Sequence, residues 1–229
     1  TVCSHNLPPH TFESPSGKAT GLASEVLLAV AERLNWTLTI TYGTWMRARH
    51  DAEQGRCDLI YTLLKKPEYE EFIAYPEQSL ADRSNVLLVR KGSGIEHDGY
   101  LESFMRNHSI GLYKDKAVSP LFDQLKTQPW ARVSEPMQAE SVMRMLIAER
   151  FDAAIENSAT AVYELRQLGL VDQVTILSPP LYVTPAYIGF SKHGQALPLM
   201  ADFDREMRIF KASKEYKAMV ARYESLGGQ

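Results

Sequence analysis

The chain has 229 residues, 45% of them apolar, enough for one large domain or two small ones, each with its own core. Its 25 basic and 28 acidic residues give a formal charge of −3, so there is no basic surplus of the kind a phosphate backbone requires, and nucleic acid is excluded as an expected partner. No stretch reaches the roughly 18 to 20 consecutive apolar residues of a membrane span, and Thr1 opens directly on strand-like residues, so any secretion signal is expected to have been removed before the numbering begins.

Short apolar strands alternate with helices, the pattern of sheets covered by helices. "TVCSHN" reads as a strand, "LPPHTFESPSGKATG" as a loop broken by proline and glycine, and "LASEVLLAVAERLNW" as a helix with Leu22, Val26, Ala29, Val30 and Leu34 on one face. "TLTITY" alternates as a strand, "TWMRARHDAEQG" is a helix stopped by Gly55, and "CDLIYTLL" is a buried strand. "TLLKKPEYEEF" follows. Pro67 suits a first helical turn and Glu68, Glu70 and Glu71 suit a positive helix start, so a short helix is expected from Pro67. "SNVLLVRKG" is another strand, after which "GSGIEHDGYLESFMRNHS" turns polar and glycine-rich and marks a domain crossing.

A second cycle runs through the strand "SIGLY", the loop and helix "KDKAVSPLFDQL", the strand and turn "ARVSEP", the helix "MQAESVMRMLIAERF" and the strand "FDAAIEN". The next helix, "SATAVYELRQLGL", turns Ala161, Val162, Leu165 and Leu168 inward and stops at Gly169. Extended character returns in "VTILSPPLYVTPAYIGFSK", and two helices close the chain. One carries Leu199, Phe203, Met207 and Phe210; the other is capped by Ser213 and carries Tyr216, Met219, Val220 and Tyr223. The expected organisation is a first lobe over residues 1–90, a second over 91–183, and a return to the first lobe over 184–229.

Cys3 and Cys57 are the only cysteines. Two buried thiols and one disulfide are both open readings, the second favoured in an oxidising compartment. The six histidines are scattered and none forms the close pair of a metal motif, so neither a metal nor a cofactor is expected.

In order and spacing, four segments resemble the bacterial extracytoplasmic solute-binding proteins of the polar amino acid type, over nearly the whole chain. They are "PPHTFESPSGKATGLASEVLLAVAERLNW", Trp45 after the second strand, "EQGRCDLIYTLLKKPEYEEFIAYPE" and "IAERFDAAIENSATA". The resemblance implies a two-lobed periplasmic binding fold of type II, each lobe a mostly parallel sheet flanked by helices, with a ligand cleft between them. It also implies that the first and third strands are neighbours, which favours a Cys3–Cys57 disulfide.

The cleft implied by the family is lined by loops at the carboxyl ends of the strands, as in open α/β sheets generally. The residues so placed are His10 and Phe12, Trp45 and Arg47, and Thr62, Leu64, Lys66 and Tyr69; opposite them stand Tyr113, Ala117 and Asn157. Phe12 and Trp45 also fit core positions, and Arg47 a solvated helix face. Lys65 and Lys66 cannot both face the cleft, and family position favours Lys66. Where the family carries an arginine that clamps an α-carboxylate this chain has Tyr69, and where it carries an aspartate that meets an α-ammonium it has Asn157. Asparagine is neutral and satisfies a cation poorly. The implied function is therefore capture of a small solute by hinge closure and delivery to an ABC permease. The expected ligand is a small carboxylate or aromatic acid rather than a zwitterion-clamped amino acid. A membrane sensor domain is the alternative. Cyclohexadienyl dehydratases share the fold, but Glu156, next to Asn157, is expected to point away by strand alternation, so no catalytic residue is expected. A monomer in the periplasm is the expected state.

Overall fold

The computed structural model describes residues 1–114, 116 and 118–226. In chain order the elements are β1 (Val2–His5), β2 (Phe12–Glu13), β3 (Ala19–Thr20), α1 (Leu22–Arg33), β4 (Ile40–Gly43), α2 (Trp45–Glu53), β5 (Leu59–Leu63), β6 (Ile73–Ala74) and β7 (Ala81–Arg90). There follow α3 (Leu101–Asn107), β8 (Ile110–Gly111), α4 (Pro120–Leu125), β9 (Val133–Ser134), α5 (Ala139–Ile147), β10 (Ala153–Asn157), α6 (Ser158–Leu168), β11 (Val174–Ile176), β12 (Tyr182–Ser191), α7 (Met200–Ala212) and α8 (Lys214–Glu224). Two compact units result. The first is Thr1–Asp82 with Thr184–Tyr223; the second is Arg83–Val183 with the described residues beyond Tyr223.

In the first unit β1 lies parallel between β4 and β5, and β12 runs antiparallel to β5 and β6. Alternation along these strands divides the apolar side chains between two layers. Val2, Leu59 and Tyr61 pack with Leu22, Val26, Leu27 and Val30 of α1 and Phe203, Met207 and Phe210 of α7. Cys3 and Ile60 face the other way, with Ala48 and Ala52 of α2. Of the faces expected from periodicity, Leu22, Val26 and Val30 of α1 and Phe203, Met207 and Phe210 of α7 are buried, the α8 face is only half-buried and Leu199 is exposed before α7 begins; Tyr216 N–H donates to Ser213 Oγ (3.1 Å), the expected cap. Cys3 and Cys57 form a disulfide with Cα atoms 5.8 Å apart, a distance set by the parallel β1–β5 pairing.

In the second unit β10 is antiparallel to β7 and parallel to β8, which is parallel to β9, while β11 pairs with β7. The run Val86–Val89 is apolar at every position because both faces are covered. Leu87 and Val89 meet α3 and α4, and Val86 and Leu88 meet α5 and α6. Gly169 ends α6 at φ 67°, as its place in the sequence predicts.

Three readings are refined or corrected by the structure. The polar, glycine-rich segment after β7 contains α3, a seven-residue helix that buries Leu101, Phe104 and Met105 at i, i+3 and i+4. Its flanking Gly94 and Gly99 mask that spacing in the sequence. The short helix expected from Pro67 is a single 3₁₀ turn, Pro67–Tyr69, and goes no further because Tyr69 and Phe72 are drawn into the core around α2. A single turn carries little macrodipole. The first unit ends at Asp82 rather than near residue 90, because Asn85–Val89 are laddered to β10.

Candidate functional site

The first-unit candidates sit around the carboxyl ends of β1, β4 and β5. The loop between β1 and α1 is anchored by hydroxyls that composition alone does not advertise. Thr11 Oγ1 meets Ser4 Oγ (3.2 Å), Ser24 Oγ (3.0 Å), Tyr42 Oη (3.2 Å) and Tyr61 Oη (3.0 Å). Burial pushes the Tyr61 phenol up to about 12, so this network stays neutral. Gly21 closes the loop at φ 102°; a Cβ there would lie 2.6 Å from the Pro9 carbonyl oxygen. His10 is consequently buried, its carbonyl accepting from Ala23 N–H (2.8 Å), and Phe12 is half-buried in the β2–β3 ribbon.

Trp45 opens α2 and joins His5, Tyr69 and Phe72 in one aromatic chain: centroids are 5.1 Å apart for His5–Trp45, 6.1 Å for Trp45–Tyr69 and 6.1 Å for Tyr69–Phe72. Tyr69 is only 7% exposed, with the Arg49 guanidinium 5.4 Å from its ring centroid. Arg47, two residues from Trp45, has a side chain 78% exposed and 3.6 Å from Asp51, the solvated position on the helix surface. Lys66 is also exposed, 3.8 Å from Glu68. Both lysines lie over aromatic rings: Lys66 Nζ is 5.6 Å from the Tyr69 ring centroid, and Lys65 Nζ is 4.3 Å from that of Tyr187 and 5.8 Å from that of Tyr75. Tyr75 Oη donates to the half-buried Leu64 carbonyl (3.1 Å).

Thr62 is the most constrained of these residues. It is buried at φ 66° with no hydrogen-bond partner for Oγ1 among the described residues. The ladder explains its place: Tyr61 pairs with Ile188 and Leu63 with Tyr187, so Thr62 is the extra residue of a β-bulge. A β-branched residue is rare at positive φ, and such strain gathers at functional positions.

The second unit holds a polar group that sequence reasoning reached only in part. Glu156 is buried, ion-paired with Lys116 and accepting from the Asn157 N–H (2.6 Å). The Lys116 ammonium lies 5.1 Å from the Tyr113 ring centroid. The Glu156 charge acts on both Tyr113 and Glu164 of α6. On α6, Glu164 has a buried Oε2 with no hydrogen-bond partner among the described residues. Burial, then the Glu156 charge, pushes its carboxyl up to about 7 against the opposing pull of Lys116. Asn157 is committed elsewhere: its Oδ1 caps α6 by accepting from Thr160 N–H (3.3 Å), and its Nδ2 donates to the Ser84 carbonyl (3.4 Å). Ala117 lies outside the described residues.

Arg83, at the start of this unit, was not expected. Burial lowers its pKa, with Glu156 and Tyr113 acting in the opposite direction, and burial also raises that of Tyr113, Glu156 adding to the effect. "DRSNV" gives no sign of this, since a lone arginine before an apolar run reads as an edge charge. Among the described residues Cys3, Asp51 and Cys57 are close enough together to hold an ion, but the two sulfurs are spent on the disulfide.

No curated protein matches the chain in sequence. Among solved structures, the L-cystine solute receptor of Neisseria gonorrhoeae, unliganded and open, superposes with a TM-score of 0.78 at 18% identity, covering 97% of this chain and 91% of that one. A histidine kinase sensor domain with similarity to periplasmic binding proteins follows at a TM-score of 0.60, 18% identity and coverages of 97% and 94%. An ancestral amino acid-binding protein, a precursor of cyclohexadienyl dehydratase, gives 0.60 at 14% identity, with 98% and 95% covered. At these identities the likeness is one of fold, the type II periplasmic binding architecture. The family model for bacterial extracellular solute-binding proteins, family 3, matches residues 1–225, and the chain belongs to that family.

Proposed function

We propose that this protein is the periplasmic solute-binding component of an ABC uptake system, and that its ligand is a small organic carboxylate with an apolar or aromatic body. Binding to both units shifts the population toward a closed form that the permease reads. Arg83 carries the ligand class. Arg83 is half-buried, and burial lowers its pKa against the charges of Glu156 and Tyr113; a planar guanidinium grips a carboxylate through two parallel hydrogen bonds. With Tyr69 where the family carries its carboxylate-clamping arginine, Arg83 is the cation this reading assigns to the ligand's carboxylate. Trp45 and Tyr113 suit an aromatic body.

Calorimetric titration with plain α-amino acids, dicarboxylates and aromatic acids tests this. An acid without an α-ammonium is expected to bind best. Arg83→Met is expected to weaken it by about 100-fold or more, the scale of a lost charge-assisted pair, and Arg83→Lys to recover part of the loss. Lys66→Met, at an exposed position, is expected to change affinity by less than about tenfold. Tightest binding by a plain α-amino acid, sensitive to Asn157, overturns the ligand class.

A second reading rests on Glu164. A carboxyl near pH 7 beside ligand-binding groups is what a general acid requires, and the fold is shared with a dehydratase precursor. Product from prephenate or arogenate, abolished by Glu164→Gln, makes the chain a catalyst; no turnover leaves it a binder.

A further inference from the structure

Two carboxylates of the second unit share one set of donors unequally. Lys116 Nζ and the Asn157 N–H (2.6 Å) both donate to Glu156 Oε1, so both are committed to the same carboxylate. Glu164 is left with Oε2 buried and without a hydrogen-bond partner among the described residues. An oxygen so placed is costly to keep charged and far less costly in a neutral carboxyl. The groups that act on it come from three neighbouring places: Glu156 of β10, Lys116 and Tyr113 from the segment after β8, and Glu140 of α5. Burial, then Glu156, pushes the carboxyl up to about 7 in spite of Lys116, so a modest change in nearby charge decides its state at neutral pH.

The charges of this group give the change a direction. With Glu164 ionised, Arg83 and Lys116 are matched by Glu156 and Glu164; with Glu164 protonated, one positive charge is left over, the complement of a single carboxylate. Tyr113 is acted on by both Arg83 and Glu164, so an anion seated at Arg83 adds its charge to the one that Glu164 already meets from Glu156. No contact between ligand and Glu164 is needed, because charge is poorly screened inside the protein. Resting on the carboxylate reading of Arg83, we propose that solute binding is coupled to the uptake of one proton by Glu164, so that the site holds its ligand tightly while that carboxyl is protonated and loosens its grip once it ionises. The coupling is reciprocal: a bound anion strengthens the hold of Glu164 on its proton, and the protonated form binds the anion better by the same factor. Affinity is therefore greatest in mildly acid solution and falls as pH rises through 7.

Benzoate, itself ionised throughout this range, is the probe, titrated calorimetrically into the intact protein. Its Kd is expected to rise about tenfold between roughly pH 6 and pH 8.5. Between those limits, titration in two buffers of different ionisation enthalpy should register net proton uptake on binding, and ligand-induced infrared difference spectra should show a protonated carboxyl gained. All three signals are expected to disappear in Glu164→Gln, which cannot titrate. The proton count and the infrared band are read on the wild type, so they decide the matter even if that variant fails to fold. Benzoate binding that is lost in Arg83→Met but takes up no proton, or whose pH dependence is the same in Glu164→Gln, overturns the coupling and leaves the carboxylate reading standing. An absence of benzoate binding at about tens of millimolar at both pH values overturns the two together.

Discussion

Thr62 stands where a β-branched side chain crowds its own backbone, a conformation costing on the order of 1–2 kcal/mol that glycine does not incur. Thr62→Gly is therefore expected to leave stability unchanged or raise it by about 1 kcal/mol, whereas truncating an ordinary buried residue lowers it. Chemical denaturation measures this, and a loss above about 1 kcal/mol would show that packing of the methyl group outweighs the strain. Glu164 makes a second prediction. Its folded pKa is raised from the usual 4.5 to about 7, so the folded state binds the extra proton. Its contribution is fully present below about pH 4.5 and is lost as pH rises through 7. Wild type minus Glu164→Gln should fall across that window by on the order of 1–2 kcal/mol, allowing for partial solvent screening; a flat difference contradicts the assignment. Asn157→Ala should cost about 1 kcal/mol for the lost cap, and Asn157→Ser should recover most of it. None of these roles is legible from residue type. Glu164 and Arg83 look like surface charges until the sheet and α6 place them near Glu156.

Among elements, long periodic segments are the ones the sequence specifies well. The faces of α1, α6 and α7 follow from apolar spacing, and Gly169 and Ser213 end or begin their helices by local backbone chemistry. Short elements yield to tertiary packing: α3 hides between glycines, and Pro67–Tyr69 stops after one turn because Tyr69 and Phe72 are worth more in the core than in a longer helix. The β1–α1 loop depends on Gly21 in the same way. Gly21→Ala puts a methyl group against the Pro9 carbonyl at an unfavourable positive φ, and should lower stability by more than about 2 kcal/mol while loosening the His10 segment. Protection of the Leu22 and Ala23 amides, which bond to Pro9 and His10, reports that loosening by hydrogen exchange.

For the molecule as a whole, the Cys3–Cys57 disulfide joins residues 54 apart and is expected to contribute roughly 4 kcal/mol by restricting the unfolded chain. Reduction, or replacement of both cysteines by alanine, should lower the denaturation midpoint of the first unit, and an unchanged midpoint would contradict it. If ligand drives the closure proposed above from about 1% to 99% populated, it must prefer the closed form by about 5.5 kcal/mol. Saturating carboxylate should then reduce the radius of gyration in solution scattering, and Arg83→Met should abolish the change at the same ligand concentration.

The sequence by itself determined the class of the fold, the order of its elements and the family, because apolar periodicity, cap residues and the spacing of a few motifs are local properties of the chain. It also brought the two cysteines together once the first and third strands were taken as neighbours. Only the tertiary structure decided which polar residues lose their water. Arg47 and Lys66, plausible anion ligands by position, stay solvated, while Arg83, Lys116, Glu156 and Glu164 gather in the second unit. Burial and charge proximity depend on residues up to about 80 positions apart in the chain, from Arg83 to Glu164, and no local pattern records them.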